Sequence, residues 1–137
     1  MIIQDTIFDK DPVEVFETIF TNEILYVTEQ SVLYARRDKN KHSYDLTLDE
    51  LKTFIGILIL SGYHQLPRER LYWCTDDDVH ISLVTQAMTR DRFLEIKRFI
   101  HFTDNHAIFG LPKDYKIKPL MNRLNASFKQ FGYFSVY

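Results

Sequence analysis

The stretch TLDELKTFIGILILSG, residues 47–62, constrains the fold more than any other. Thr47 and Glu50 make a capping box, in which the threonine hydroxyl accepts from the third helical N–H and the glutamate reaches back to the cap amide. Behind them, Leu51, Phe54, Ile55, Ile57, Leu58, Ile59 and Leu60 leave almost no polar face. A helix apolar nearly all round belongs inside a protein or a membrane. The run FIGILIL falls far short of the ~20 residues needed to span a bilayer. This helix is therefore expected at the centre of a soluble all-α fold, the most buried of the chain, with Gly62 ending it.

Apolar spacing outlines its neighbours. Asp11-Pro12 opens a helix, with Asp as cap and Pro at a permitted first position, and Val13, Phe16, Ile19 and Phe20 form its stripe. Thr21-Asn22 either caps a second helix or dents the first. Ile24, Leu25, Thr28, Val32 and Ala35 continue at helical spacing until RRDKNKHS, a polar loop. After Leu66-Pro67, the segment RERLYW offers Leu71, Tyr72 and Trp73 to the core. Asp76-Asp77-Asp78 is expected to cap a short helix over 79–87. Thr89 caps the next, with Phe93, Ile96 and Ile100 on its core face and Phe99 at the edge. HFTDNHAIFGLPKDYKIK reads as loop, anchored by Phe102 and Phe109. Lys118-Pro119 starts a last helix with Leu120, Leu124, Phe128 and Phe131 on one side, stopped by Gly132. YFSVY at 133–137 alternates like a strand that has no partner strand in the chain. The expectation is one all-α domain of about six helices over 1–132, followed by the start of a strand.

Composition narrows the function classes. A length of 137 residues fits one domain able to bury a core. The single cysteine, Cys74, excludes an internal disulfide and a zinc site built on several thiolates, and it suits a reducing compartment. MIIQDTIFDKD has no basic leader before an apolar core, so no signal peptide is expected. There is no G-x-S-x-G nucleophile elbow, no phosphate loop and no dinucleotide fingerprint among the four glycines. His42, His64, His80, His101 and His106 include no helical H-x-x-x-H pair, and the three adjacent aspartates point in different directions. Neither metal nor cofactor is expected. Zinc-finger, homeodomain and basic-zipper signatures are absent as well.

Charge is unevenly spread. The net value of -2 gives no global case for nucleic-acid binding, yet residues 1–34 hold seven acids and one base while 81–137 hold nine bases and four acids. Such a split suits either a polyanion-facing surface or ordinary solvated helix faces. Within QAMTRDRFLEIKRFIHFTDN, residues 86–105, Arg90, Lys97 and His101 fall on one side of the helix. Asp91, Glu95 and Arg98 form a mixed row in which Glu95 and Arg98 can pair. The cations make no continuous stripe. Arg90, Lys97, Arg98 and His101, with Lys116, Lys118 and Arg123 further along, are the candidate DNA-binding residues. Their spacing offers phosphate contacts rather than a fork aimed at one base.

The order of motifs says more than any one of them. LTLDELKTFIGILILSGYHQLPRERLYW, then MTRDRFLEIKRFIHFTDN, then KIKPLMNRLNASF and last FSV resemble the piggyBac transposase family. That family shows L-x-x-E-L-x-x-F-x-G, L-P-x-x-x-x-Y-W, M-x-x-x-R-F-x-x-I-x-x-x-x-H-F-x-D-N and a K-I-R-P-L-like helix start. The match runs from about residue 8 to 137 in the family's order. The resemblance implies a helical domain over 1–132 that precedes the catalytic core, helps form a dimer and grips duplex DNA. It further implies that 133–137 begins the first strand of an RNase H-like core whose aspartates bind divalent metal. The family's first aspartate stands in Ser-Val/Ile-Asp-Glu, but here the residues are Ser135, Val136 and Tyr137. A phenol is protonated near neutral pH and cannot replace a carboxylate on Mg²⁺. The family's cysteine-rich zinc domain is also missing from this sequence.

The sequence therefore suggests a non-catalytic, piggyBac-derived module that binds double-stranded DNA through phosphates, dimerises with itself or a related transposase-derived protein, or does both. The alternative is a helical interaction fragment or degenerate relic without DNA affinity. No membrane partner is expected. The resemblance implies a nuclear location, and cytoplasmic is the other choice.

Overall fold

A computed structural model describes residues 9–131, and among them every regular element is helical. The expected strand at 133–137, the Gly132 stop and the Tyr137 substitution lie outside the described residues. Among the described residues there are five α-helices, in keeping with the expected all-α domain: α1 Pro12–Leu33, α2 Leu48–Tyr63, α3 Ser82–Ala87, α4 Arg90–Phe99 and α5 Lys118–Phe131. Two 3₁₀ turns, Glu69–Trp73 and Lys113–Lys116, and a π-helical turn, Tyr34–Asp38, fill the connections.

Helix α1 begins as a full capping box. Asp11 accepts from the amides of Val13 and Glu14 at 2.8 and 2.9 Å, and Glu14 accepts from the Asp11 amide at 3.1 Å. Thr21 neither caps nor breaks it, because its hydroxyl donates to the Glu17 carbonyl at 2.5 Å, within the helix's own ladder. The helix then widens into the π turn. Tyr34, Ala35, Arg36, Arg37 and Asp38 are thus helical, and the polar loop begins later than the sequence suggests. Asn40, at φ 54°, takes the left-handed conformation as the chain turns away.

Helix α2 carries the expected capping box at Thr47 and Glu50. Gly62 lies inside it, and the helix ends at His64, whose amide donates to the Leu60 carbonyl at 2.8 Å. The Tyr72 hydroxyl donates to the His64 carbonyl at 2.5 Å, fastening this end to the following 3₁₀ turn. Burial is one-sided: Leu51, Phe54 and Ile57 are buried, whereas Leu58 is 44% and Ile59 53% exposed. The uniform apolar pattern overstates how much of this helix is covered. Helices α1 and α4 both contact α2, and the sequence cannot show that the side bearing Leu58 and Ile59 stays open.

The core centres on Phe93 of α4. Its ring lies 4.8 Å from Phe54 and 4.9 Å from Trp73, and Leu51, Val84 and Ile96 are fully buried in the same core cluster. The Trp73 indole N–H donates to the Met88 carbonyl at 2.8 Å, tying the 3₁₀ turn to the residue after α3. Three expectations fail nearby. Asp76–Asp78 form a turn rather than a cap, the carbonyl of Asp76 accepts from Val79 and His80, and α3 starts only at Ser82 with no side-chain cap. Val13 is 65% exposed instead of lining the stripe, and Phe109 is 93% exposed instead of anchoring its loop. In each case local pattern lacks a surface to pack on.

Candidate nucleic-acid interface

The segment HFTDN folds as a clamp rather than as loose loop. The Ser31 hydroxyl of α1 donates to the Val27 carbonyl at 2.7 Å and accepts from the His101 amide at 3.0 Å. The His101 imidazole lies flat on the Tyr34 ring, with centroids 4.1 Å apart and planes within 3°. Its Nε2 meets Asn105 Oδ1 at 2.9 Å, and Asn105 donates to Asp38 at 3.1 Å. Arg37 closes the circuit by donating to both oxygens of Asp104, at 2.6 and 3.2 Å, and to Asp38 at 2.8 Å. The guanidinium holds the Asp104 carboxyl at about 2, well below its ordinary range, with the His106 amide adding a second donor. Asp38 is lowered too, chiefly by Arg37. Planar, two-pronged pairing of this kind is strong and orienting.

The outward side of α4 is similarly engaged. Arg92 donates to both oxygens of Glu50 at 2.9 Å, to the Asp45 carbonyl at 2.6 Å and to Glu95 at 2.6 Å. This hydrogen bonding lowers the Glu50 carboxyl and raises the guanidinium. Glu95 therefore pairs with Arg92 rather than with Arg98, as the row of charges had suggested. Lys97 forms an ion pair with Glu69 of the 3₁₀ turn, and Arg90 pairs with Asp91 at 3.1 Å. Only Arg98 of the candidate residues on this helix is without a carboxylate among the described residues; it lies 5.5 Å from the Phe99 ring.

The second group is arranged differently. Lys116, Lys118 and Arg123 are exposed, and none is ion-paired among the described residues. Lys118 sits over the Tyr115 ring at 4.1 Å, and Arg123 sits over Tyr26 of α1 at 4.4 Å. An aromatic face steadies the stem of such a cation while its N–H donors remain available. Lys113 adds a further exposed cation to the same short stretch. Lys116, Lys118 and Arg123 thus follow one another along the 3₁₀ turn and α5, while His101 is occupied in the clamp.

Sequence reasoning missed Arg37, Arg92, Asp104 and Asn105 as organising residues. The quoted H-F-x-D-N pattern held part of the signal. Pairings across 42 and 67 residues, however, have no local periodicity to reveal them.

Comparison with known proteins adds what geometry alone does not. The model of the family described as Transposase IS4 matches residues 11–136. The chain belongs to that family. It is 40% identical over 120 residues to human PiggyBac transposable element-derived protein 2, covering 87% of this chain and 20% of that protein. To human PiggyBac transposable element-derived protein 3 it is 38% identical over 123 residues, 89% of this chain and 20% of the relative. The chain therefore spans about a fifth of the length of these relatives, and it is a transposase-derived protein of the piggyBac kind. No solved structure matches it. Among the described residues of this family member, no cluster of three or more His, Cys, Asp or Glu side chains could hold a metal ion, and no helix is long and apolar enough to cross a membrane.

Proposed function

We propose that this chain is a non-catalytic, transposase-derived module that holds duplex DNA by its phosphates through Lys116, Lys118 and Arg123, with Arg98 as an outlying contact. The observation that carries the reading is the contrast in how cations are used. Arg90, Arg92 and Lys97 are committed to carboxylates, while Lys116, Lys118 and Arg123 are exposed without an ion pair among the described residues, Lys118 and Arg123 lying over aromatic rings. Phosphate contacts need only reach and position, so such a stretch binds without reading sequence. The absence of catalysis is inferred from Tyr137 at the position of the family's first aspartate. DNA as ligand would place the protein's work in the nucleus.

A salt series on duplex DNA tests this. Each phosphate contact removed lowers the slope of log K against log [salt] by roughly 0.9. Lys116→Ala/Lys118→Ala/Arg123→Ala should weaken binding and flatten the slope, while Lys97→Ala should leave both close to wild type. A triple variant with wild-type affinity and slope would overturn the reading. Metal-dependent nicking of DNA by the pure protein would overturn the non-catalytic part.

The exposed apolar side of α2 favours a second reading, dimerisation with a second copy or a related transposase-derived protein. Leu58 and Ile59 lie open there, with Val13 of α1 also exposed. Contiguous apolar surface of this kind marks association sites. Sedimentation should show a dimer that Ile59→Lys returns to monomer.

A further inference from the structure

Helix α5 meets α1 along one seam. Arg123 lies over Tyr26 at 4.4 Å, Ser127 meets Glu23, and Phe128 meets Phe20 edge-on at 6.2 Å, so the two helices run antiparallel. The inner stripe of α5 is Leu120, Leu124, Ser127 and Phe131, at steps of four, three and four residues, the spacing of one helix face. All four are only half-buried, and α5 as a whole buries no residue. Helix α4, which is shorter, buries Phe93, Ile96 and Phe99. Little apolar surface therefore holds α5 in place.

The middle of the seam is polar. Glu23 is only 6% exposed. Its Oε1 accepts from the Ser127 hydroxyl at 3.0 Å, but Oε2 is buried and has no hydrogen-bond partner among the described residues. No cation of the protein pairs with this carboxyl among the described residues. A buried carboxyl without a full set of partners is costly to keep. Because Ser127 lies against it, withdrawal of α5 lets water reach the carboxyl and removes that cost. The same contact that fastens the seam thus works against it.

We propose that α5 is a releasable latch: it leaves α1 as a unit while α1 to α4 stay folded, and the enclosed carboxyl of Glu23 sets how readily it does so. Segments with few buried contacts are the ones that open well below the energy of global unfolding. A free helix of 14 residues is marginal in water, so α5 frays once released. Release also frees Arg123 from Tyr26 and uncovers Phe20. The latch follows from packing alone. Its consequence for DNA, that Lys118 and Arg123 ride on a segment able to leave α1, rests on the function proposed above. Exchange measured without DNA reads the latch by itself, so either reading can fail without the other.

Amide hydrogen exchange on the intact chain tests the proposal. Amides in the middle of α5 should exchange at least about tenfold faster than those of α4, and low urea should change their rates little, as a local opening requires. Glu23→Gln keeps the shape of the side chain and removes its charge, so it should slow exchange in α5 by about tenfold. Ser127→Asp, made at a half-buried position, sets a second carboxylate against the first. It should speed exchange in α5 while α4 remains protected. Amides of α5 that exchange only with global unfolding, wild-type or faster α5 exchange in Glu23→Gln, or unchanged α5 exchange in Ser127→Asp would each overturn the proposal. The Ser127→Asp arm keeps the test decisive should Glu23→Gln fail to fold.

Discussion

Helix α4 buries Phe93, Ile96 and Phe99 and ties Arg90, Arg92 and Lys97 to carboxylates, whereas α5 buries none of its 14 residues and leaves Lys118 and Arg123 without an ion pair among the described residues. Both helices are amphipathic, and both carry cations in or near their last turns. What separates them is the supply of partners. Helix α4 runs past Glu50 at the start of α2 and Glu69 in the 3₁₀ turn, so its outer charges are drawn into the fold. Helix α5 lies along α1, where Glu23 is taken by Ser127 and Arg123 finds Tyr26 instead. A cation within reach of a fixed carboxylate becomes part of the scaffold. One that finds only an aromatic ring remains available to a ligand.

The largest expected effect separates the two sides of α2. Ile57→Asp places a carboxylate at a site only 5% exposed, and an unpaired buried charge costs several kcal/mol against a total of about 5–15 kcal/mol for a domain. The variant should be unfolded or molten by near-ultraviolet circular dichroism. Leu58→Asp, one residue on, should fold and melt cooperatively, losing about 1 kcal/mol or less, because a half-exposed side chain keeps its charge in water. If both variants unfold, the open side of α2 is covered, and the one-sided burial described above is wrong.

Next in size is the contrast between arginines. Arg92→Ala removes a two-pronged contact to Glu50 along with bonds to Asp45 and Glu95. Hydrogen bonds to charged groups contribute about 1.5–3 kcal/mol. The side chain is 25% exposed, so solvent screening puts the expected loss near the lower figure, about 1.5 kcal/mol. Arg123→Ala should stay within about 0.5 kcal/mol of wild type. Urea denaturation of the two variants decides it; equal losses would erase the distinction between a scaffold cation and an available one.

These two comparisons also show what the sequence could carry. The capping box at Thr47, the start at Asp11-Pro12 and the cap at Thr89 are local statements, and local hydrogen bonding decides them; the stripe of α4 holds at Phe93 and Ile96, but Phe99, expected at its edge, is buried and Ile100 is half-buried past the helix end. Ile57 and Leu58 are equivalent in pattern, and only the placement of α1 and α4 makes one buried and the other half open. Arg90, Arg92, Lys97 and Arg98 likewise read as one basic stretch. Arg90 takes its neighbour Asp91, but the partners of Arg92 and Lys97, Glu50 and Glu69, lie 42 and 28 residues away, beyond the reach of helical periodicity. His101 was legible as part of H-F-x-D-N, but its contact with Tyr34 required the π turn that carries α1 past its expected end.

The clamp built on that turn should show in the acid limb of stability. Asp104 is held at about 2 by Arg37, against an ordinary value of 3.8, so the unfolded chain takes up its proton first. Its contribution is complete above about pH 4 and is lost as the pH falls toward 2. Glu50 and Asp38, also lowered by arginine hydrogen bonds, act in the same direction. Asp104→Asn should therefore give a shallower fall in urea midpoint between pH 4 and pH 2 than wild type. An unchanged slope would mean that the Arg37 pairing seen here does not persist in solution.

The smallest effect is expected where the sequence promised an anchor. Phe109 is 93% exposed, and the next residue, Gly110, turns the chain at φ 79°, a left-handed conformation that glycine adopts without strain. A ring in this position removes almost no apolar surface from water, so its loss should cost almost nothing. Phe109→Ser is expected to change unfolding free energy by no more than about 0.5 kcal/mol. Phe102, half-buried against the core in the same connection, offers the internal control. Phe102→Ser should be clearly destabilising in the same urea titration, because it withdraws a packed ring and leaves a void with a polar group beside it. Equal and substantial losses at both positions would show that the connection between α4 and α5 folds back onto the protein through Phe109. The cations that follow it, from Lys113 to Arg123, would then be held less openly than their lack of carboxylate partners suggests.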